Sequence, residues 1–269
     1  MDPEALRMLA GSLRTTMTAA TGAKLDAALA DVDWLDMLDE IPDTAITLVF
    51  SLLGETGAHA SVLNDVVLRA AGRTPGGSVP LPCAGERWVV WKRGDGCSSA
   101  LDDELPIRSA PRGESLPPSA IAAGRRALGW WLVGASRAML ALARQHAVDR
   151  VQFGRHISSF QAIRHRLAET LVAIEGAEAT LRAVAAESED PNGLTSLLAK
   201  AAAGKAALSA ARHCQQVLGG IGFTAEHPLH RHVKRALVLD GLLGSARELT
   251  QEAGKSLRSK GYAPRLAQL

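Results

Sequence analysis

Cysteine is scarce: Cys83, Cys97 and Cys214 lie far apart, with no Cys-x-x-Cys pair. That spacing excludes a zinc ribbon and suits a reducing compartment. Aromatic residues make up only 4% of the 269 residues. Charge of one sign is also missing, since 30 basic and 28 acidic side chains leave a net charge of +2. Nothing in that balance calls for a nucleic-acid or membrane partner. The longest apolar runs fall far short of the ~20 residues a bilayer demands. The opening Met-Asp-Pro-Glu lacks a basic region followed by an apolar run. No signal peptide is in view, and a cytoplasmic protein is the expectation. There is no G-x-S-x-G and no ordered Ser/His/Asp set, so hydrolytic catalysis has no signature.

What remains is ordinary for a soluble globular chain, 47% apolar and 22% charged, and long enough for a real core. Three segments differ in pattern: 1–72, 73–114 and 115–269. The first reads as helices, with Pro3 tolerated in a first turn and Asp2 as its cap. Leu6, Leu9, Leu13 and Met17 make one apolar face. Pro42-Asp43 opens a helix ending near Gly54 or Gly57. Val62, Val66 and Leu68 belong to another that stops at Gly72. The second segment clusters prolines and glycines. Its best strand candidate is residues 86–93, closed by Gly94-Asp95-Gly96, and it reads as a small β-insert or linker.

The third segment carries the stronger helical stripes. One helix contains Leu128, Trp131, Ala135, Met139 and Leu142, and a second Ile163, Leu167, Leu171, Ile174 and Leu181. A third restarts at Asp190-Pro191 and stops at Gly219-Gly220. A fourth spans about 228–258, broken near Gly241 or Gly244, with a solvated tail after Gly254. The expected architecture is therefore mainly α, with a four-helix bundle at its C-terminal end. The many alanines permit close helix–helix approach or a broad subunit interface.

Between the first two of these helices lies the stretch Arg150-Val151-Gln152-Phe153-Gly154-Arg155-His156-Ile157-Ser158-Ser159-Phe160-Gln161. Arg150 offers a planar two-pronged donor suited to a pyrophosphate, and Gly154 permits a tight turn. Ser158 or Ser159 can cap the next helix, whose N–H groups favour an anion. A plain helix–helix corner with a surface arginine reads the same residues without a ligand.

Other motifs carry less. Gly220-Ile221-Gly222-Phe223-Thr224-Ala225 matches G-x-G-x-x-A, but an alanine-rich helix precedes it where the dinucleotide fingerprint needs a strand. A glycine helix stop is the better reading. His227, His230 and His232 are interleaved with Arg231, Lys234 and Arg235, which favours a polar helix start near Pro228 over metal binding. His146 and Trp130-Trp131 read as packing residues.

Taken together, the C-terminal half resembles the acyl-CoA dehydrogenase family. The matching pieces are residues 143–154, then Ile157 with Phe160-Gln161, Leu167-Ala168-Glu169, Ala199-Lys200 and residues 216–223. They come in the family's order and spacing and cover about 117–258, while 33–72 is weakly similar to its N-terminal helical domain. The resemblance implies an acyl-CoA dehydrogenase-like fold: an N-terminal helical domain (1–72), a much reduced β middle segment (73–114) and a C-terminal bundle (115–269). It also implies that the bundle holds the adenosine diphosphate part of a neighbouring subunit's FAD. Arg150 would then face the pyrophosphate, with Gln152, Phe153, Phe160 and Gln161 along the cofactor. Gln216, Gly219 and Gly220 would lie near its adenosine end, and Arg247 near the flavin, unless Arg247 only pairs with Glu248 or Asp240 on the helix surface.

Two departures qualify the resemblance. The family's β-rich middle domain is reduced here to 73–114. Its catalytic base, a Glu immediately before Gly-Thr, is replaced in Leu242-Leu243-Gly244-Ser245 by Leu243, which cannot take a proton. The family's alternative base position, near the start of the first bundle helix, reads Gly124-Arg125-Arg126. Asp240 and Glu248 are near in sequence but at the wrong offsets. The chain is thus similar to the base-lacking subunit of actinobacterial heterotetrameric steroid acyl-CoA dehydrogenases. In those enzymes a second subunit supplies the Glu and binds most of the acyl-CoA. A flavin-free scaffold, or a self-sufficient homo-oligomeric flavoenzyme with a relocated base, are the alternatives.

Overall fold

A computed structural model describes residues 2–93, 102–186 and 193–261. Five helices come first: α1 (Pro3–Ala19), α2 (Ala23–Ala30), α3 (Trp34–Glu40), α4 (Pro42–Thr56) and α5 (Val62–Ala70). Pro3 and Pro42 each sit in a first turn, where the missing N–H costs nothing. Asp2 does not cap α1 through its side chain as expected; it keeps extended backbone and bonds only through its carbonyl, to the Leu6 N–H. Gly57 ends α4 at φ 71°.

The middle segment forms a three-stranded antiparallel sheet in the order β1 (Pro80–Cys83), β2 (Arg87–Trp91), β3 (Ile107–Ala110). The expected strand at 86–93 is β2, with Leu81 and Ser109 flanking Val89. The Gly94–Gly96 turn, Cys97 and the Asp190-Pro191 restart lie outside the described residues.

After the sheet come α6 (Pro118–Asp149), α7 (Gln161–Ala186), α8 (Leu194–Leu218), α9 (Leu229–Gly241) and α10 (Ala246–Lys260). The helix expected at 228–258 is thus two helices. Leu242 ends α9 with extended backbone, and Leu243 and Gly244 follow at φ 56° and 99°. Ser245 then opens α10 with a capping box: its hydroxyl accepts from the Glu248 N–H, and its own N–H donates to the Glu248 carboxylate. α10 also continues past Gly254, where a solvated tail is expected, because Leu257 packs beside Leu249 and Ala253 against Leu194 and Leu197.

Small residues set the packing. α4 crosses α6 where Gly54 faces the Trp131 carbonyl and Gly134 the Ser51 carbonyl, so close that a methyl on either glycine would overlap backbone. Ala199, Ala203, Ala206, Ala207 and Ala210 are buried along α8, the close approach that the alanine content predicts. The aromatic residues Trp34, Phe50, Trp131 and Trp91 form a chain of ring contacts, 6.4, 5.6 and 5.5 Å between successive centroids. They join the first helices, the sheet and α6 into one core. Arg235 of α9 closes the assembly, donating to Asp102 and Glu104 and to the carbonyls of Gly57 and Ala58. Among the described residues, no helix is long and apolar enough to cross a membrane.

Candidate functional site

α6 ends at Arg150, whose N–H still bonds the His146 carbonyl at 2.9 Å. The chain then folds back as a hairpin of β4 (Val151–Gln152) and β5 (Arg155–His156), with Gln152 paired to Arg155. Its two-residue turn is Phe153-Gly154, at φ 56° and 78°. Paired left-handed residues match the right-handed twist of a hairpin, which is why Asn-Gly is the usual choice. Glycine adopts this backbone freely; a phenylalanine does so at a cost of about 1 kcal/mol. Phe153 is nonetheless 90% exposed, touching Phe160 only edge to face, 6.1 Å between centroids. Arg155 lies 4.3 Å over the other ring, Phe160.

Neither Ser158 nor Ser159 caps α7. The Ser159 hydroxyl turns back to the His156 carbonyl, and Arg164 donates to the Ser158 carbonyl. The first carbonyl to accept from α7 is that of Phe160, which takes the Ile163 and Arg164 N–H groups. Arg150, Gln152 and Gln161 are exposed beside the hairpin.

A second group of expected residues sits at the end of α8. Gln216 is exposed, Gly219 ends the helix at φ 66°, and a 3-10 turn, Gly219–Phe223, follows. This is the helix stop that the sequence favours over a dinucleotide fingerprint. A methyl on Gly154, Gly219 or Gly220 would meet open space. The two groups share one end of the bundle. His146, in the last turn of α6, is held below the ordinary imidazole pKa by burial and by His227 of the α8–α9 connection, and further by Arg150. Phe223 and Ile221, absent from the expected set, add exposed apolar surface there. The His227–His232 stretch begins α9, as expected. His227 accepts from the Leu229 N–H, His232 is buried, and no metal-holding cluster exists among the described residues.

Leu243, where the resemblance would put a base, lies in a different setting. Leu243 is 2% exposed, its side chain pressed against Gly124. Its N–H donates to the Pro82 carbonyl and its own carbonyl accepts from Arg125. Lys200, fully buried, donates to the carbonyls of Asp240 and Gly244 at 2.7 and 2.6 Å, and burial pushes its ammonium down to about 8. Asp240 accepts from the Ala246 N–H; burial raises its carboxyl. Glu248 accepts from Gly85 and Ser245, bonds that hold its carboxyl low. Both nearby carboxylates are thus engaged in holding the link between α9 and α10. Sequence spacing names Lys200 but not this latch, because its acceptors are main-chain atoms 40 and 44 residues away.

Arg247 is not brought to the hairpin. It is exposed on the first turn of α10, in a groove shared with Lys205, Ser209 and Arg212 of α8. No ion pair joins it to Glu248 or Asp240 among the described residues.

The family model for the acyl-CoA dehydrogenase C-terminal domain matches residues 112–252. Among curated proteins, acyl-CoA dehydrogenase FadE34 of Mycobacterium tuberculosis is 33% identical over 208 residues, 69% of this chain and 28% of that protein. Acyl-CoA dehydrogenase IpdE2 of the same organism is 41% identical over 117 residues, 44% of this chain and 36% of its own length. The chain thus spans about a third of the length of these relatives. Among solved structures, the Tcur3481-Tcur3483 steroid ACAD aligns over 96% of this chain and 99% of its own, with a TM-score of 0.77 and 18% identity.

Proposed function

The chain belongs to the acyl-CoA dehydrogenase family, and from that premise we propose that it is the non-catalytic subunit of an FAD-dependent heterotetramer. In this reading it completes the FAD site of a second acyl-CoA dehydrogenase subunit, which carries the catalytic Glu and most of the acyl-CoA site. The reaction is α,β-dehydrogenation of a bulky acyl-CoA thioester, of steroid side-chain type, in the cytoplasm. Bound FAD would accept the β-hydride while the partner's carboxylate removes the α-proton.

The observation that carries the reading is Phe153, a strained aromatic that is almost wholly exposed. Such strain persists where a site uses it. A pyrophosphate fits the exposed Arg150 guanidinium, and planar groups fit Phe153 and Phe160. Gln152 and Gln161 would lie along the cofactor, and Gln216 near its adenosine end, which Gly219 and Gly220 would admit without a side-chain obstacle. Arg247 belongs to the same reading as a flavin-edge contact, from a separate groove. The division into 1–72, 73–114 and 115–269 assigns the bundle to cofactor and subunit contacts and leaves the short sheet as a remnant. The absence of a base supports the non-catalytic role, since Leu243 stands in its place and Asp240 and Glu248 are occupied. The steroid assignment leans on the description of the aligned Tcur3481-Tcur3483 structure.

Flavin absorbance tests this. The chain purified alone should carry no flavin, and the complex with a co-expressed full-length partner should carry it. Arg150→Ala in that complex should weaken FAD retention about tenfold, the loss of one charge-assisted contact. Stoichiometric flavin on the lone chain, or unchanged retention in the variant complex, would sink the reading.

A further inference from the structure

The three-stranded sheet has two unlike edges. That of β1 is closed by the link between α9 and α10. The Ala84 N–H donates to the Gly241 carbonyl and the Leu243 N–H to the Pro82 carbonyl, both at 2.8 Å, and Cys83 bridges to Leu242. The other edge is β3, which pairs with β2 alone among the described residues. Its register shows which main-chain groups are left over. The Lys92 N–H donates to the Pro106 carbonyl. Bonded pairs alternate along an antiparallel ladder, so Val90 with Arg108 and Trp88 with Ala110 are bonded pairs as well. Ile107 and Ser109 therefore turn their main-chain groups away from β2. The Ile107 N–H is already bonded, to the Leu105 carbonyl at 2.7 Å, and Pro111 has no N–H to give. The edge thus offers one donor, the Ser109 N–H, with the carbonyls of Ile107 and Ser109 as acceptors.

The side chains along this edge are cationic. Arg108, Ala110 and Arg112 alternate, with Arg108 and Arg112 exposed and without an ion pair among the described residues. Ala110 stands opposite Trp88, which is half-buried on the outer face of the sheet. Both line an opening of about 650 Å3 with Arg87, Arg112, Ser109 and Glu86, the one carboxylate there. Glu114, the next acid along the chain, faces Arg73 at 3.8 Å. Cations therefore flank a small apolar patch beside unpaired main-chain groups.

We infer that the β3 edge accepts an added strand from a different polypeptide, an extended segment with an acidic residue on either side of an apolar one. Strand addition takes its affinity from main-chain bonds and its specificity from alternate side chains. Here the added strand would bond at Ile107 and Ser109. Its acids would lie opposite Arg108 and Arg112, two residues to each side of an apolar residue set opposite Ala110 and beside Trp88. The pattern is acid-x-apolar-x-acid. A second copy of this chain does not suit the edge. With one outward donor per copy, two copies could exchange at most two bonds, and their arginines would repel. The inference is independent of the flavin reading, which uses none of these residues.

The test is fluorescence anisotropy of the full chain with a labelled Thr-Asp-Thr-Val-Thr-Asp-Thr peptide at low salt. Binding at about 100 micromolar or tighter is expected. The Arg108→Glu/Arg112→Glu double variant should lose about tenfold or more, and should prefer the same peptide with lysine in place of aspartate. Both side chains are exposed, so its thermal midpoint should not move. Methylating the peptide nitrogen of the threonine after valine, which faces the Ser109 carbonyl, should abolish binding. Methylating that of the valine, which faces away, should leave it intact. Absence of binding would overturn the site, as would affinity unchanged in the double variant. Equal effects of the two methylations would reduce the interaction to charge attraction and overturn strand addition. A dimer of the lone chain that Ser109→Pro dissolves would overturn the choice of a foreign strand.

Discussion

Phe153 and Leu243 share a backbone conformation that bulky residues seldom adopt, φ 56° in both, in opposite surroundings. Leu243 is buried, its N–H and carbonyl are both bonded, and Lys200 clamps the link on either side of it. The surrounding structure over-determines its strain, and packing alone accounts for it. Phe153 has one edge contact and otherwise faces solvent. Nothing else in the described chain repays its strain, so the compensation is sought outside the chain, in a bound group. Leu243 is held in place by the core, and a surface corner retains a conformation that folding does not need.

A glutamate placed at each position sharpens the contrast most. Leu243→Glu buries a carboxyl against Gly124 in a site packed for an apolar side chain. It should cost about 4 kcal/mol, with the new carboxyl kept neutral by burial. Phe153→Glu should stay within about 0.5 kcal/mol of the parent, as surface changes do. Denaturant melts of the two variants decide the matter. Equal destabilisation would mean that the hairpin is part of the folding core.

Acid should also act on the packed side of the molecule. Burial pushes His59 and His232 down to about 4, with the Arg235 charge adding to both. Below the ordinary imidazole pKa of 6.5 the unfolded chain takes up protons that the folded chain refuses until about pH 4. Stability therefore falls as pH drops through that window. Burial raises the carboxyls of Asp26 and Asp240, which works the other way. The two buried histidines should dominate, so urea midpoints should fall between pH 7 and 4.5. His232→Gln should flatten the dependence; an unchanged slope would show that His232 is not held neutral by burial.

The readability of the sequence follows the range of the contacts. Helices carried by i, i+3, i+4 stripes were legible, as was the turn at Gly154, because their causes lie within a few residues. β3 was not, since Ile-Arg-Ser-Ala shows little β pattern and owes its strand to β2. The break between α9 and α10 was legible as glycines, but its cause, Lys200 reaching the Asp240 and Gly244 carbonyls, lies one helix away. The Arg235 clasp on Asp102 spans 133 residues and leaves no local mark. The convergence of Lys205 and Arg212 with Arg247 has the same origin, because helix packing rather than spacing brings them together. Arg150, Phe153 and Phe160 could be read together because one short stretch contains them.

The smallest expected effect is the most discriminating. Asn-Gly is the preferred pair for a two-residue hairpin turn with both φ positive, so Phe153→Asn should relieve the strain at position 153. If the ring contributes nothing to folding, the variant should be more stable by about 1 kcal/mol. The same substitution removes the exposed aromatic face and should lower flavin retention in the two-subunit complex. Opposite signs for stability and retention are what a strained binding residue predicts. If the variant instead loses stability, the edge contact with Phe160 outweighs the backbone strain. Phe153 would then be a packing residue like Leu243, and the contrast between the two positions would disappear.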